Sequence, residues 1–259
     1  MSSPPEAPTT SIATHAAEDV WVRGRSLCKD LIGRVSFTEM TYFHVTGRMP
    51  TPAQTAVVDA CLVTLMEHGL TPSAIAARLV YSSAPDAMQG AVAAGILGVG
   101  SAFVGTVEGC AVLLVRIASA EAPFEGEARR VAQEHHAARR PIPGFGHPVH
   151  KPDDPRSARL MEVVERNGIA GRHIAALRAL ATSVDEVYGK HVTINATGAV
   201  AAALGDAGLP AQIMRGFAIL SRCAGLVGHV HEEQRKPAMR ALWAAAERAV
   251  PYEPEAGEE

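Results

Sequence analysis

Apolar residues return at every third or fourth position through almost the whole of this chain. β-branched residues nowhere alternate over strand length, except weakly at Val192-Thr193-Ile194. A period near 3.6 lines such residues along one stripe of a helix, whereas a half-buried strand needs a period of 2. The pattern therefore predicts an all-α fold. Thr51-Pro52 reads as an N-cap followed by proline at the first helical position, opening a periodic stretch to Glu67 that Gly69 stops. Thr71-Pro72 repeats the device for a helix to about Ser82, and the next begins near Asp86. Gly and Pro punctuation predicts further helices at about 102–118, 124–139, 154–167, 170–187, 197–206, 210–222 and 225–248.

The charge balance narrows the partners. A net charge of −3 over 259 residues provides no basic field for a nucleic-acid backbone or an anionic membrane, so nucleic acid is not expected as a partner. Ala87 to Val107 is uncharged and long enough to cross a bilayer, but it consists mostly of Ala, Gly, Ser and Val, which suits a buried, closely packed helix pair better than a membrane span. Cys28, Cys61, Cys110 and Cys223 lie far apart among apolar neighbours, which fits buried thiols in a reducing cytoplasm. Met1 to Thr14 has no signal-peptide pattern, and both this segment and Pro251 to Glu259 are expected to fray.

The stretch from Arg139 to Pro155 cannot be helical. Four prolines and two glycines between positions 141 and 152 fix some φ angles and free others, surrounding His147 with an aromatic ring and cationic side chains. A plain linker between helical units does not require that combination, so the loop is expected to hold His147 against a ligand.

Gly144-Phe145-Gly146-His147, followed by Asp154-Pro155-Arg156, resembles the GxGHxVxxxxDPR signature of citrate synthases. Glu67-His68-Gly69, with Pro72-Ser73-Ala74 and Ala77-Arg78 after it, is similar to the ADHG segment of the citryl-CoA-cleaving module of ATP-citrate lyase. Ser221 to His229 resembles the family's R-x-x-G-x-x-x-H segment. The resemblance covers roughly residues 20 to 250, and the chain's size matches the lyase module better than a full synthase. It implies a citrate synthase-like fold with a larger helical domain, 1–107 and 199–259, and a smaller inserted one, 108–198, around a cleft. A homodimer or higher homo-oligomer is implied as well.

Two positions depart from the family. Phe103 stands where citrate synthases carry a histidine on the acetyl thioester, as the lyase module also lacks it. The segment that supplies the family's catalytic aspartate reads Asn195-Ala196-Thr197-Gly198, and a threonine is no general base near neutral pH.

The reaction that the resemblance implies joins or breaks a carbon–carbon bond beside a coenzyme A thioester. A base must take the hydroxyl proton, donors must stabilise the oxygens that change charge, and an acid must protonate the new methyl carbon. His147 is assigned to the hydroxyl or keto oxygen, His68 to the oxaloacetate half, and Thr197 with Asn195 to the vacated aspartate position. Arg156, Arg222 and Arg78 are expected to hold substrate carboxylates as bidentate forks. Arg139, Arg140, Lys151 and Lys190 are expected to meet CoA phosphates, with Pro143, Gly144, Phe145 and Gly146 along the adenine. Close histidine pairs at 135/136, 147/150 and 229/231 lack metal-site spacing, so no metal is expected. The expectation is a citryl-CoA lyase type enzyme; the alternatives are a condensing acyltransferase on another acyl-CoA and keto acid, or a CoA-binding homologue without turnover.

Overall fold

The computed structural model describes residues 7–254. Helices α1 (Phe37–Thr46), α2 (Pro52–Met66), α3 (Pro72–Ser83), α4 (Met88–Phe103), α5 (Gly105–Ala118) and α6 (Glu125–Ala137) form the first half. The second half comprises α7 (Pro155–Arg166), α8 (Arg172–Tyr188), α9 (Ala196–Asp206), α10 (Ala211–Arg235) and α11 (Met239–Ala249). The all-α expectation holds. Ser36 with Glu39, and Thr51 with Gln54, form complete capping boxes that satisfy otherwise orphaned backbone N–H groups of α1 and α2.

Four local expectations are corrected. Short antiparallel strands β1 (Ala13–His15), β2 (Val20–Val22) and β3 (Arg25–Ser26) precede the helices, the first two residues of β1 lying in the segment expected to fray, and a single π turn follows at Leu27–Leu31. These strands pair locally through backbone hydrogen bonds and are too short to show a period. The break expected after residue 222 is absent: α10 runs through Gly225 and ends before Pro237. A Cβ at Gly225 would lie 2.2 Å from the Met66 carbonyl oxygen, so this glycine admits the end of α2 rather than stopping a helix. Of the four free cysteines, Cys61 and Cys110 are buried, whereas Cys28 is exposed and Cys223 half-buried. The α4–α5 pair bends by 43°, and α4 leaves one face open, with Leu97 81% exposed.

The core is continuous from α2 to α10, and α9 lies at its centre, buried along most of its length and packed by α2, α5, α7 and α8. Small residues make this possible, since Ala199, Ala201, Ala202 and Ala203 let neighbouring backbones approach closely. Tyr42 donates from its hydroxyl to the Ala207 carbonyl at 2.9 Å, fixing α1 to the end of α9. Among the described residues α10 is the one helix that by itself is long and apolar enough to cross a membrane. Here it packs against α2, α3, α4 and α5.

Candidate active site

The loop after α6 is shaped by its contact with the start of α9. Gly144 has φ +88, and a Cβ there would come within 2.6 Å of Cys110 Sγ and 2.9 Å of Gly198 Cα. Only glycine serves at such a crossing. Gly146 N–H donates to the Thr193 carbonyl at 2.7 Å, Asn195 N–H donates to the Gly144 carbonyl at 3.0 Å, and Phe145 bridges Ile194. The faint strand signal at 192–194 thus marks an extended strip that pins the loop. Asn195 completes the junction: its Oδ1 accepts from the backbone N–H of Thr197 and Gly198 as the N-cap of α9, and its Nδ2 donates to the Gly146 carbonyl at 2.9 Å.

Asp154 couples the other end. It caps α7, accepts the Ala196 N–H at 3.0 Å, and receives Nε and Nη2 of Arg156 at 3.0 and 2.7 Å. Burial alone would raise its carboxyl, but Arg156 and the backbone N–H groups outweigh burial and hold it below the ordinary aspartate range. Because the folded value lies below the unfolded one, its contribution to stability is complete above the unfolded value and is lost as pH falls through the folded one. Asp154→Asn is therefore expected to cost about 2–3 kcal/mol at neutral pH. Denaturant unfolding should find the gap from wild type constant above about pH 5 and narrowing below about pH 4. A gap that stays level into acid would show that the charge is not what matters.

His147 lies between these anchors. Its Nδ1 accepts the backbone N–H groups of Val149 at 3.1 Å and His150 at 2.9 Å, which assigns the proton of the neutral ring to Nε2. That Nε2 lies 3.3 Å from Arg156 Nη2. Two donors facing each other call for a shared acceptor, such as an oxygen that carries developing charge. Burial first, then His150 and Arg156, push His147 below the ordinary histidine range and so favour this neutral donor form.

His68 and Arg222 arrive from the opposite side. Glu67 Oε2 accepts the backbone N–H groups of His68 and Gly69, shaping the turn after α2. The His68 ring centroid is 5.5 Å from His147 and 5.6 Å from His150. Burial, followed by Arg156, His150 and Arg222, lowers the His68 pKa. Ser221 donates to the Leu62 carbonyl beside the Gly225 crossing, and so α10 presents Arg222 toward the end of α2. Arg222 Nη1 is buried without a hydrogen-bond partner; the nearest carboxylate, Glu67 Oε1, is 4.0 Å away. Burial pulls this guanidinium below its ordinary range, with Glu67 opposing and Arg156 adding to the effect.

These groups line a cleft of about 520 Å³ that contains His68, His147, Arg156, Arg222, Asn195, Thr197, Phe145 and Gly146. Phe103, Val99 and Val107 form its apolar wall, and no lining residue is Asp or Glu. The cleft is thus built to receive an anion with an apolar arm. Thr197 donates its hydroxyl to Asn195 Oδ1 at 2.6 Å. Arg139, Arg140 and Lys190 gather with His136 and Tyr188 in a second pocket of about 390 Å³ at the start of the same loop. Pro143 and Gly144 belong to neither lining; Gly144 is buried under α9, and Pro143 packs against Gly109.

Four residues leave their assigned roles: Pro143 and Gly144, which line neither pocket, and Arg78 and Lys151. Arg78 lies outside the cleft, because its guanidinium donates to Glu232, to Glu233 at 2.9 Å and to His229 Nδ1, and it is 3% exposed. Burial opposes its charge, but the two glutamates more than compensate and raise its pKa. Lys151 is exposed and joins neither pocket. Sequence reasoning also passed over His150 and the buried Asp154 as site residues, although both lie inside the signature loop.

The family described as citrate synthase, C-terminal domain, matches residues 20–242. The chain belongs to the citrate synthase family. Citryl-CoA lyase from Hydrogenobacter thermophilus superposes with a TM-score of 0.87 at 32% identity, over 98% of this chain and 97% of that one. A variant of the Methanosaeta concilii ATP citrate lyase, solved with (3S)-citryl-CoA, gives a TM-score of 0.77 at 17% identity, over 99% of this chain and 43% of that one. At that identity the likeness is one of fold. A Mycobacterium tuberculosis protein provisionally named citrate synthase 2 is 30% identical over 190 residues, 72% of this chain and 49% of its own. The chain spans about half the length of the curated relatives it matches.

Proposed function

We propose that this member of the citrate synthase family cleaves citryl-CoA, or a close 3-hydroxy-3-carboxy relative, to acetyl-CoA and a keto acid. The observation that carries the reading is the donor pair of His147 Nε2–H and Arg156 Nη2, 3.3 Å apart, in a cleft that also contains Arg222, whose Nη1 is buried without a hydrogen-bond partner. The tertiary oxygen of the substrate takes the position facing both donors, and its charge is stabilised as it becomes a carbonyl. Arg222 holds a carboxylate of the same half. The thioester arm lies along the apolar wall of Phe103 and Val99. The likeness to a citryl-CoA lyase over almost the full length of both chains supports this choice among the family's chemistries. Incubating the pure protein with citryl-CoA, malyl-CoA and citramalyl-CoA, while following free keto acid and acetyl-CoA, tests it. CoA binding without release from any of the three would overturn the proposal.

CoA phosphates are assigned to the second pocket, whose lining carries Arg139, Arg140 and Lys190 and no carboxylate. Reversing two of these charges, Arg140→Glu with Lys190→Glu, is expected to raise KM for the CoA thioester by about tenfold or more. The affinity for free keto acid should stay unchanged. Loss of keto-acid affinity instead would move the phosphate site elsewhere. Residues 108–198 are proposed as the smaller domain that closes over the cleft. The open face of α4 around Leu97 is proposed as part of a homodimer interface, and the compartment as cytoplasmic.

A further inference from the structure

Arg222, Gly225 and His229 are three and four positions apart on α10, a spacing that puts them on one face of the helix. The side chain seated against that face is Glu67, at the end of α2. A Cβ at Gly225 would lie 2.9 Å from Glu67 Oε1 as well as 2.2 Å from the Met66 carbonyl oxygen, so the glycine leaves room for the carboxylate. Glu67 Oε1 lies 2.9 Å from His229 Nε2 on one side and 4.0 Å from Arg222 Nη1 on the other. Both nitrogens are buried, and among the described residues neither has an aligned hydrogen-bond partner. One carboxylate oxygen thus stands between two donors, nearer to the histidine.

His229 is prepared for this contact from behind. Arg78 donates to its Nδ1 from Nε at 3.1 Å and from Nη2 at 2.9 Å, which assigns the proton of the neutral ring to Nε2, the nitrogen beside Glu67. Arg78 is itself held by Glu232 and by the buried Glu233, whose Oε1 also accepts the backbone N–H groups of Ala238 and Met239. The other oxygen of Glu67 is committed to the backbone N–H groups of His68 and Gly69, at 3.2 and 3.1 Å. Only Oε1 is left to choose between its neighbours, and a shift of about 1 Å would bring it within hydrogen-bond reach of Arg222. Glu67 would then occupy the guanidinium that a substrate carboxylate needs.

We propose that His229 is a positioning residue for substrate capture: it draws the Glu67 carboxylate to itself and so keeps Arg222 open for the carboxylate of the keto-acid half. The inference rests on the lyase reading above. It also gives Arg78 a part in the site, since Arg78 acts through His229 and Glu67 without touching the cleft.

The test measures kcat and KM for citryl-CoA, and oxaloacetate affinity by calorimetry, with thermal melts as the control for folding. The proteins are wild type, His229→Asn, His229→Gln, Glu67→Gln and the double variant His229→Asn with Glu67→Gln. Asparagine keeps an oxygen near the Nδ1 position for Arg78 but loses the donor beside Glu67, whereas glutamine can keep a donor there. His229→Asn is expected to raise KM and to weaken oxaloacetate binding by about tenfold, the scale of one charge-assisted hydrogen bond. Its kcat should stay within about threefold of wild type, because the loss falls on ground-state binding. His229→Gln should remain close to wild type. Adding Glu67→Gln to His229→Asn should restore affinity, since a neutral amide no longer competes for Arg222. A folded His229→Asn protein with wild-type KM and oxaloacetate affinity, or a defect that persists in the double variant, overturns the role of His229 and leaves the lyase reading standing. A wild type that binds oxaloacetate without cleaving citryl-CoA overturns the lyase reading, and the oxaloacetate affinities then decide the role of His229 by themselves. A wild type that does neither overturns both.

Discussion

His147→Gln is expected to lower citryl-CoA turnover by about 10² or more, with the melting temperature within a few degrees of wild type. The expectation comes from how the imidazole is held. Two backbone N–H groups on Nδ1, at 3.1 and 2.9 Å, orient the ring and choose its tautomer. Glutamine can offer an amide donor in the same region, but its flexible side chain cannot accept both N–H groups and also aim a donor beside Arg156 Nη2. Misplacing a donor by an ångström removes stabilisation that exists only as charge develops, so the loss should fall on kcat more than on KM. The ring is only partly buried, and the loop is pinned independently by Asn195 and by the contact of Gly144 with α9, so folding should survive. A folded His147→Gln protein with wild-type turnover would remove the residue from the chemistry.

Much of this architecture was legible because its determinants are local. Thr51-Pro52 starts a helix wherever it sits, and a run of Pro and Gly around His147 excludes one. The gathering of the Glu67-His68-Gly69, GFGH and Arg222 segments around one cleft was reachable through the resemblance of three separate motifs. What escaped depends on partners far away in the chain. Gly225 reads locally as a helix stop, yet its role is to let the Met66 carbonyl approach from 159 positions earlier. Arg78 reads as a substrate fork until Glu232 and Glu233 are seen to occupy it. His150 looks like half of a metal-ligand pair with His147, and its contact with His68 appears only once α2 and the loop are brought together. The N-terminal sheet consists of strands of two or three residues, below the length at which a period-2 pattern can be read.

Arg222→Met should make the protein more stable and much worse at binding its substrate. In the empty cleft Arg222 Nη1 is desolvated with no hydrogen-bond partner, and Glu67 Oε1 at 4.0 Å compensates only in part. A buried charge without a full set of partners is a cost to the folded state, and an apolar side chain of similar length removes that cost. The melting temperature of the variant is therefore expected to rise. The opposite holds with substrate present, because the carboxylate that would meet Arg222 is then left in the cleft without its guanidinium. Removing one partner of a desolvated, hydrogen-bonded charge pair costs about 2–5 kcal/mol, which corresponds to a rise in KM of roughly 30-fold to several thousand-fold. The cost should appear in the affinity for the keto acid and for citryl-CoA, and not in that for CoA itself, whose phosphates are assigned to the separate pocket of Arg139, Arg140 and Lys190. Melting curves of the two proteins without ligand, followed by titrations with oxaloacetate and CoA, separate the two effects. A variant that melts several degrees lower would show that Arg222 is a structural ion-pair partner of Glu67. A loss confined to CoA would place the arginine on the other half of the substrate.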